Sequence, residues 1–285
     1  MEFCHIIPTP HLSMVSGRST HLVLAHLIEE DDKYVDWYIK QKEKFGCTII
    51  MDNSAFEMYK QGRDMYDPSK LIEMGKKINA DYIVMTDYPG EEGSKTVSKA
   101  IEQAPMLKEE GFGTFFVPQS KIGYIEDLTL GFDWAARHPQ YVDYIGVSIL
   151  AIPNAYGVEK SNNLQRFLSR WKFMGELKDR GILDEFHMNS QKLHFLGMVD
   201  GPNEISLVKD YGQYIYTWDS SAAPWLGLHA GEHFDGSPTG RIMGKYEEEV
   251  NFNFYTENLD NIEAAFENME YIDLLVEKHY GRYQV

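Results

Sequence analysis

Three apolar runs in this chain each end in an aspartate that is followed by turn-forming residues. The runs cover residues 48–51 before Asp52, 82–86 before Asp87, and 214–218 before Asp219. Strands of a closed parallel barrel read as apolar runs, and their carboxyl ends converge on one mouth. A single such aspartate is better explained as a helix cap or a turn residue. Three of them together predict a barrel whose carboxylates face a common substrate, and therefore an enzyme.

Apolar runs alternate with amphipathic stretches from about residue 20 to the end of the chain, without a linker-like or low-complexity tract. This alternation predicts a regular order of strands and helices. We place strands at residues 21–27, 47–51, 81–86, 113–118, 142–148, 193–198, 213–218 and 250–255, and helices at 69–79, 94–110, 125–137, 163–180 and 258–279. Roughly 250 residues is typical of an eight-stranded α/β barrel. The sequence thus predicts one (β/α)8 TIM-barrel domain over residues 1–285.

Composition restricts the setting in which the protein works. The chain has no apolar run of the roughly 18 residues that a transmembrane helix needs, and its first residues lack the pattern of a signal peptide. Cys4 and Cys47 are the only two cysteines, too few for a disulfide scaffold or a four-cysteine zinc site. We therefore expect a cytoplasmic protein.

The charge balance argues against indiscriminate binding to polyphosphates. The formal net charge is −17, whereas nonspecific nucleic-acid binding needs clustered Lys and Arg that release counterions. A local basic face is still compatible with this charge, and each candidate is equally compatible with a solvated helix face. The candidates are Lys40, Lys42 and Lys44; Arg166, Arg170 and Lys172; and Arg241 with Lys245.

Two short motifs match known patterns only by letter. Residues 229–233 fit the H-x-x-E-H zinc pattern, but glycines at 227, 231 and 236 argue against the helix that would place both histidines on one face. Residues 240–245 have the wrong spacing for a phosphate-binding loop. Residues 220–246 lack periodicity and directly follow Asp219, so we predict a long functional loop there.

A more specific set of residues follows the predicted strands. Asn53 and Phe56 come directly after Asp52, Gln119 follows the fourth run, and Gly146 lies near the end of the fifth. An amide donates and accepts at a base edge, while a glycine permits close approach of a ligand to the backbone. Gly197 and Met198 close the sixth run. These residues together predict a slot for a planar heterocycle.

In this order, the motifs resemble those of the tRNA-guanine transglycosylase superfamily, and in particular its zinc-less phage enzymes that insert 7-deazaguanines into DNA. Residues 52–57 resemble the family's D-S-G-G-F-Q loop, and Asp87 resembles its purine-reading aspartate. Residues 197–198 resemble part of its M-G-V-G-x-P segment, and Asp219 lies where the family has its nucleophilic aspartate. Gln119 and Gly146 fall at the family's glutamine and at its base-contacting glycine.

The chain also departs from the family pattern. The tRNA-modifying members carry a C-x-C-x-x-C…H zinc site near the C-terminus, but this chain has no cysteine after Cys47. The family's arginines after the nucleophile are also missing, and Glu57 stands where the family has Gln. Because the zinc subdomain and those arginines engage tRNA in the family, the departures favour DNA as the substrate.

The resemblance implies a pentosyltransferase that needs neither a cofactor nor a metal. Asp219 would attack C1′ to form a covalent glycosyl-enzyme, and Asp52 would act as acid and then as base. Asp87 would accept two hydrogen bonds from the guanine edge. Gln119 and the Gly146 backbone would read O6, while Phe56 and Met198 sandwich the ring. The partners would be a free 7-deazaguanine base and DNA, in which the nucleotide is flipped or single-stranded.

Three alternatives stay open from the sequence. The polymer could be tRNA. The chain could be a glycoside hydrolase, which uses paired carboxylates on the same barrel. In that case Asp219 and Asp52 would again be the catalytic pair, as in the transglycosylase. It could also be a module that binds a modified base without turnover. The identity of the inserted base and the oligomeric state are not determined by the sequence.

Overall fold

The computed structural model describes residues 1–198, 201–241 and 250–281. Its centre is one sheet of eight parallel strands in the order β1-β8-β7-β6-β5-β4-β3-β2. The strands are β1 (Glu2–His5), β2 (Thr20–Leu24), β3 (Thr48–Asp52), β4 (Tyr82–Val84), β5 (Gly113–Phe116), β6 (Tyr144–Ser148), β7 (Lys192–Leu196) and β8 (Ile215–Ser220). From β2 to β8, each strand pairs with the next one in the sequence, and β8 also pairs with β1. This is the predicted TIM barrel.

The sheet is nearly closed between its two end strands. β1 and β2 lie against each other, and the Thr20 hydroxyl of β2 donates a hydrogen bond to the Glu2 carboxylate of β1. A barrel without long free strand edges protects the backbone groups that would otherwise pair with other chains.

Side chains fill the interior of the barrel. Phe115 of β5 stacks on Tyr144 of β6 with ring centroids 5.6 Å apart, and it meets His194 of β7 at 5.3 Å. At the amino ends of the strands, the Lys192 ammonium lies 4.4 Å from the ring centroid of Tyr216. The packed interior leaves the carboxyl ends of the strands as the place for a site.

Twelve α-helices are present in the described residues, and they surround the barrel. They are α1 (Ala25–Glu30), α2 (Asp32–Phe45), α3 (Ala55–Gln61), α4 (Pro68–Lys77), α5 (Gly93–Glu109), α6 (Ile125–Arg137), α7 (Ala151–Ala155), α8 (Asn163–Asp179), α9 (Ile182–Met188), α10 (Glu204–Leu207), α11 (Ala222–Ala230) and α12 (Leu259–Tyr280). The five predicted helices correspond to α4, α5, α6, α8 and α12 within two residues at each end. None of these helices is long and apolar enough to cross a membrane.

Seven of the eight predicted strands overlap β2 to β8, but the first strand of the barrel was missed and the last predicted strand is absent. The chain begins with β1, which the sequence analysis missed, and residues 250–255 form no strand. The alternating pattern there has another cause: Phe252 and Phe254 pack against the barrel core, while Asn251 closes a turn to Asn253 and Phe254. Alternating burial therefore arises without a strand ladder.

The prediction of a long loop at residues 220–246 was wrong for its first part, because α11 begins three residues after Asp219, whereas residues 231–241 form neither helix nor strand. Six consecutive residues of α11, from Ala223 to Leu228, are buried. The helix therefore lacks the alternation of polar and apolar faces by which a helix is recognised in a sequence. Helix α12 packs closely on it. A Cβ on Gly227 would lie 2.1 Å from the Ala265 nitrogen, so only glycine permits this approach. Residues 242–249 of the predicted loop, including Lys245, lie outside the described residues.

Candidate active site

The three strand-end aspartates share the mouth of the barrel. Asp52 is the last residue of β3, Asp87 follows β4 by three residues, and Asp219 is the penultimate residue of β8. The negative charges of Asp219 and Asp87 both raise the pKa of Asp52, as expected of carboxylates that face one space. The structure therefore brings together the three carboxylates that the sequence singled out.

The pKa of the Asp52 carboxyl is held well above its usual value. Burial is the largest cause, and the charge of Glu57 adds to it. One hydrogen bond, from the Ser54 amide to Asp52 Oδ1 at 3.0 Å, acts in the opposite direction. The result is a carboxyl that keeps its proton at a pH where ordinary aspartates are ionised, which is what a general acid requires.

The loop after Asp52 is held in an unusual conformation. Ser54 has φ of 56°, in the left-handed region that non-glycine residues seldom adopt. Its hydroxyl lies 2.9 Å from His26 Nδ1 and accepts a hydrogen bond from the His26 amide at 3.2 Å. Burial, with the charge of Arg63, lowers the pKa of His26 to about 4. A neutral His26 thus anchors the turn that supplies an amide to Asp52.

Asp87 is buried and receives side-chain amides from both neighbouring strand ends. Asn53 Nδ2 donates to Oδ1 at 2.8 Å, and Gln119 Nε2 donates to Oδ2 at 2.6 Å. Burial raises the pKa of Asp87 to about 6, although both amides oppose the shift. An ionised Asp87 can accept further donors from a ligand because carboxylate oxygens have several acceptor positions.

The structure gives Asn53 a supporting place. Its Nδ2 also donates to the Met85 carbonyl at 2.7 Å, and its Oδ1 accepts from the Ala55 amide at 2.8 Å. Both N–H groups and the oxygen are therefore engaged within the protein, and Asn53 fixes Asp87. Direct substrate binding by Asn53 stays a prediction.

Asp219 is held by a histidine that the sequence analysis did not select. Asp219 Oδ1 lies 2.8 Å from His194 Nε2 and accepts the Gly197 amide at 3.2 Å. On its other side, His194 Nδ1 lies 2.6 Å from the Thr217 hydroxyl. His194 is fully buried inside the barrel. The sequence signal was a polar residue between the apolar residues Leu193 and Phe195 of β7.

Arg170 was a candidate for a local basic face or for a solvated helix face, and the structure shows that it belongs to neither. It is fully buried on α8 and forms a two-bond ion pair with Glu204, with Arg170 Nε 2.8 Å from Glu204 Oε1. Its remaining donors bind carbonyls at the ends of β6 and β7: Val147, Leu196 and Gly197. Arg170 thus holds the segment whose amide contacts Asp219.

Gly197 and Met198 lie beside Asp219. Gly197 has φ of +73°, and a Cβ there would lie 2.7 Å from Ile149 Cγ2. Its carbonyl accepts a hydrogen bond from Trp218 Nε1 at 3.0 Å. Met198 is buried, and its carbonyl accepts from the Ser220 hydroxyl at 3.3 Å. The backbone here is fixed from several sides.

Gly146 and Phe56 lie in different settings. Gly146 is in the middle of β6, and a Cβ there would lie 2.7 Å from the Leu196 side chain and 3.0 Å from Phe115. Packing inside the barrel therefore explains this glycine, and its backbone contact with a base stays a prediction. Phe56 is exposed on α3, with the Lys60 ammonium 4.7 Å from its ring centroid.

The two histidines of the motif at residues 229–233 lie in different surroundings. His229 is in the last turn of α11 and stacks on Trp225, whereas His233 lies beyond the helix and pairs with Glu267 at 3.1 Å. No group of three His, Cys, Asp or Glu side chains within residues 1–198, 201–241 and 250–281 is arranged to hold a metal. Of the candidate basic residues, Lys42 pairs with Asp81 at 2.5 Å.

Comparison with known proteins supports the fold. No protein-family model matches the sequence, and no match was found among curated proteins. Among solved structures, the chain is similar to a protein from Coccidioides immitis described as a "putative fructose-1,6-biphosphate aldolase". The TM-score is 0.54 at 10% sequence identity, over 98% of this chain and 91% of that one. At this identity the similarity establishes a shared barrel, an architecture whose mouth typically carries an active site.

Proposed function

We propose that the protein is a DNA-guanine transglycosylase that exchanges guanine in DNA for a 7-deazaguanine. The observation that carries this proposal is the pairing of two unlike carboxyls in one mouth. Asp52 has a raised pKa, whereas Asp219 is held by two hydrogen-bond donors. Two carboxyls whose environments differ in this way are suited to separate roles as acid and nucleophile.

In the first half-reaction, a carboxylate oxygen of Asp219 attacks C1′ of the nucleotide. The new C1′–O bond forms as the C1′–N9 bond breaks, and the electron pair of that bond goes to the departing guanine. Protonated Asp52 gives its proton to the base, which leaves neutral. The enzyme then holds a glycosyl ester on Asp219 and an ionised Asp52.

The second half-reaction is the reverse with a different base. Ionised Asp52 takes the N9 proton of the incoming 7-deazaguanine, and the freed electron pair attacks C1′. The ester bond breaks and returns its electrons to the Asp219 carboxylate. Asp52 is again protonated, so the cycle closes without a cofactor or an external acid.

Asp87 and Gln119, which are hydrogen-bonded to each other, recognise the base beside Asp52 and Asp219. An ionised Asp87 accepts the N1–H and the exocyclic amine of a guanine-like ring, a donor pair that adenine lacks. A primary amide has two N–H groups, so Gln119 retains one for O6 after donating to Asp87. Exposed Phe56 and buried Met198 supply the apolar contacts to the ring faces.

DNA is the proposed polymer because the sequence lacks the zinc ligands and arginines with which the similar tRNA enzymes engage tRNA. C1′ of a stacked nucleotide is inaccessible, so the target must be flipped or single-stranded, at a cost of a few kcal/mol. With a net charge of −17, we expect weak, salt-sensitive binding of the polymer.

The test is base exchange with radiolabelled guanine. Purified protein is incubated with the label and with duplex DNA, single-stranded DNA or tRNA, and the Asp219→Ala variant serves as the control. Label entering DNA only with the wild-type protein supports the proposal. Label in tRNA, in no polymer, or in DNA at an equal rate with Asp219→Ala overturns it.

A further inference from the structure

His194 takes no part in the proposed reaction, yet it contacts the proposed nucleophile. Its ring lies inside the barrel with no exposed surface, and both ring nitrogens are engaged. One nitrogen faces Asp219, and the other faces Thr217. Burying a polar ring without hydrogen-bond partners is costly. The carboxylate on one nitrogen and the hydroxyl on the other therefore hold the buried ring in a defined orientation.

The contact determines where the hydrogen of His194 lies. An ionised carboxylate only accepts hydrogen bonds, so Nε2 must carry a hydrogen towards Asp219 Oδ1, 2.8 Å away. This holds for the neutral ring and for the imidazolium alike. The Thr217 hydroxyl faces Nδ1 at 2.6 Å and also bonds to the Tyr144 phenol. Thr217 therefore fixes the ring plane from the side opposite to Asp219.

The two oxygens of Asp219 are consequently unequal. Oδ1 accepts both the His194 Nε2–H and the Gly197 amide. Within the part of the chain that the structure describes, no residue hydrogen-bonds to Oδ2. An oxygen whose lone pairs already accept two hydrogen bonds is a poorer nucleophile than an oxygen that accepts none. The protein thus leaves one oxygen of the carboxylate for reaction.

We propose that His194 is a positioning residue that fixes the Asp219 carboxylate, so that Oδ2 is the oxygen that bonds to C1′. This inference rests on the proposed function. In the first half-reaction the C1′–Oδ2 bond forms and the C1′–N9 bond breaks, while Oδ1 becomes the carbonyl oxygen of the ester and keeps both donors. In the second half-reaction, the same donors stabilise the negative charge that returns to the carboxylate, which favours its departure.

A pair of substitutions separates positioning from packing. The amide nitrogen of glutamine reaches the place of Nε2, whereas that of asparagine reaches the place of Nδ1. His194→Gln therefore keeps a donor for Asp219, and His194→Asn keeps only the contact with Thr217. Because misplacement by about 1 Å costs on the order of 100-fold in rate, we expect about 100-fold slower ester formation in His194→Asn and less than about 10-fold in His194→Gln.

The measurement is single-turnover release of labelled guanine from single-stranded DNA, with the KM for free base measured in parallel. The KM should stay unchanged, because Asp87 and Gln119 are untouched. Wild-type rates in His194→Asn, or equal losses in both variants, overturn the inference. Absence of exchange in the wild-type protein instead overturns the proposed function on which it rests.

A second measurement does not depend on catalytic activity, and its main result comes from the wild-type protein. Long-range ¹H–¹⁵N NMR of protein labelled at histidine reports which ring nitrogen of His194 carries hydrogen. We expect Nε2 to be protonated, with a shift that changes in Asp219→Asn. Hydrogen on Nδ1 alone would overturn the assignment of His194 as a donor to Asp219.

Discussion

Gln119 Nε2 donates a hydrogen bond to Asp87 Oδ2 at a distance of 2.6 Å, and this bond joins the carboxyl ends of two adjacent strands. The bond orients both groups before any ligand arrives. An amide that is already aligned loses less conformational freedom when a base binds. Gln119 and Asp87 are therefore already oriented for binding the edge of a base. Their affinity for it depends on whether Asp87 is ionised.

We predict that the affinity for guanine rises with pH through about 6. Burial raises the pKa of Asp87 to about 6, so the carboxyl is mostly protonated below that pH and accepts fewer donors. Calorimetric titration of guanine between pH 5 and 8 measures the effect. The nearly isosteric Asp87→Asn variant is the control. This variant should bind guanine at least about 10-fold more weakly at pH 8, and its affinity should not rise with pH through about 6. A step that persists in this variant would assign the titration to another group.

The same shift predicts how stability depends on pH. The folded-state pKa of Asp87 is raised from 3.8 to about 6, so the stability it contributes is full below about pH 4 and is lost as pH rises through 6. The difference corresponds to about 3 kcal/mol. Urea unfolding of the wild-type protein and of Asp87→Asn at pH 4 and pH 7.5 isolates the contribution. The wild-type protein should lose more stability over this interval than the variant, and equal losses would contradict the prediction.

The sequence predicted the barrel and its carboxylates for one physical reason. Strands that are buried on both faces form apolar runs, so the polar residue that ends each run is visible, as with Asp52, Asp87 and Asp219. Strand β1 was missed because it has four residues, two of which are Glu2 and His5. Too few apolar residues remained to form a run.

The supporting residues were harder to predict than the carboxylates. His194 and Arg170 lie 25 and 49 positions before Asp219 in the sequence. Only the folded chain places His194 against Asp219 and Arg170 against the Gly197 carbonyl. Arg170 occurs among other charged residues of α8, where an exposed face is the usual expectation. Its burial depends on Glu204, which comes from another element, and a single sequence does not reveal such a pairing.

We predict that Gly197→Ala impairs exchange and stability together. The residue has φ of +73°, and its new Cβ would lie 2.7 Å from Ile149 Cγ2. The strain of a positive φ in alanine and the close contact with Ile149 should together lower the unfolding free energy by about 2 kcal/mol. Displacement of the amide that binds Asp219 should slow guanine release by about 10-fold or more. Thermal unfolding and single-turnover exchange measure the two effects.

Gly111→Ala is the matched control for this change. Gly111 has φ of +87°, but a Cβ there has no neighbour within 4 Å. It should therefore show the backbone strain alone, with a loss of about 1 kcal/mol and normal exchange. If Gly197→Ala resembled this control in both measurements, the contact of the Gly197 amide with Asp219 would have no role in the reaction.

The last prediction concerns the buried ion pair beneath the site. Arg170→Met removes the guanidinium that pairs with the buried carboxylate of Glu204, and this should lower the unfolding free energy by about 3–5 kcal/mol. The double variant Arg170→Met/Glu204→Leu removes both charges and should recover most of that loss. Urea unfolding measures both, and the exposed pair of Lys95 with Glu91 supplies the control. Lys95→Met should cost less than about 1 kcal/mol of unfolding free energy.

If the double variant were stable but released guanine slowly, Arg170 would act mainly by holding the Gly197 carbonyl. A double variant no more stable than Arg170→Met would show that the carbonyl contacts, and not the charge pair, stabilise this part of the barrel.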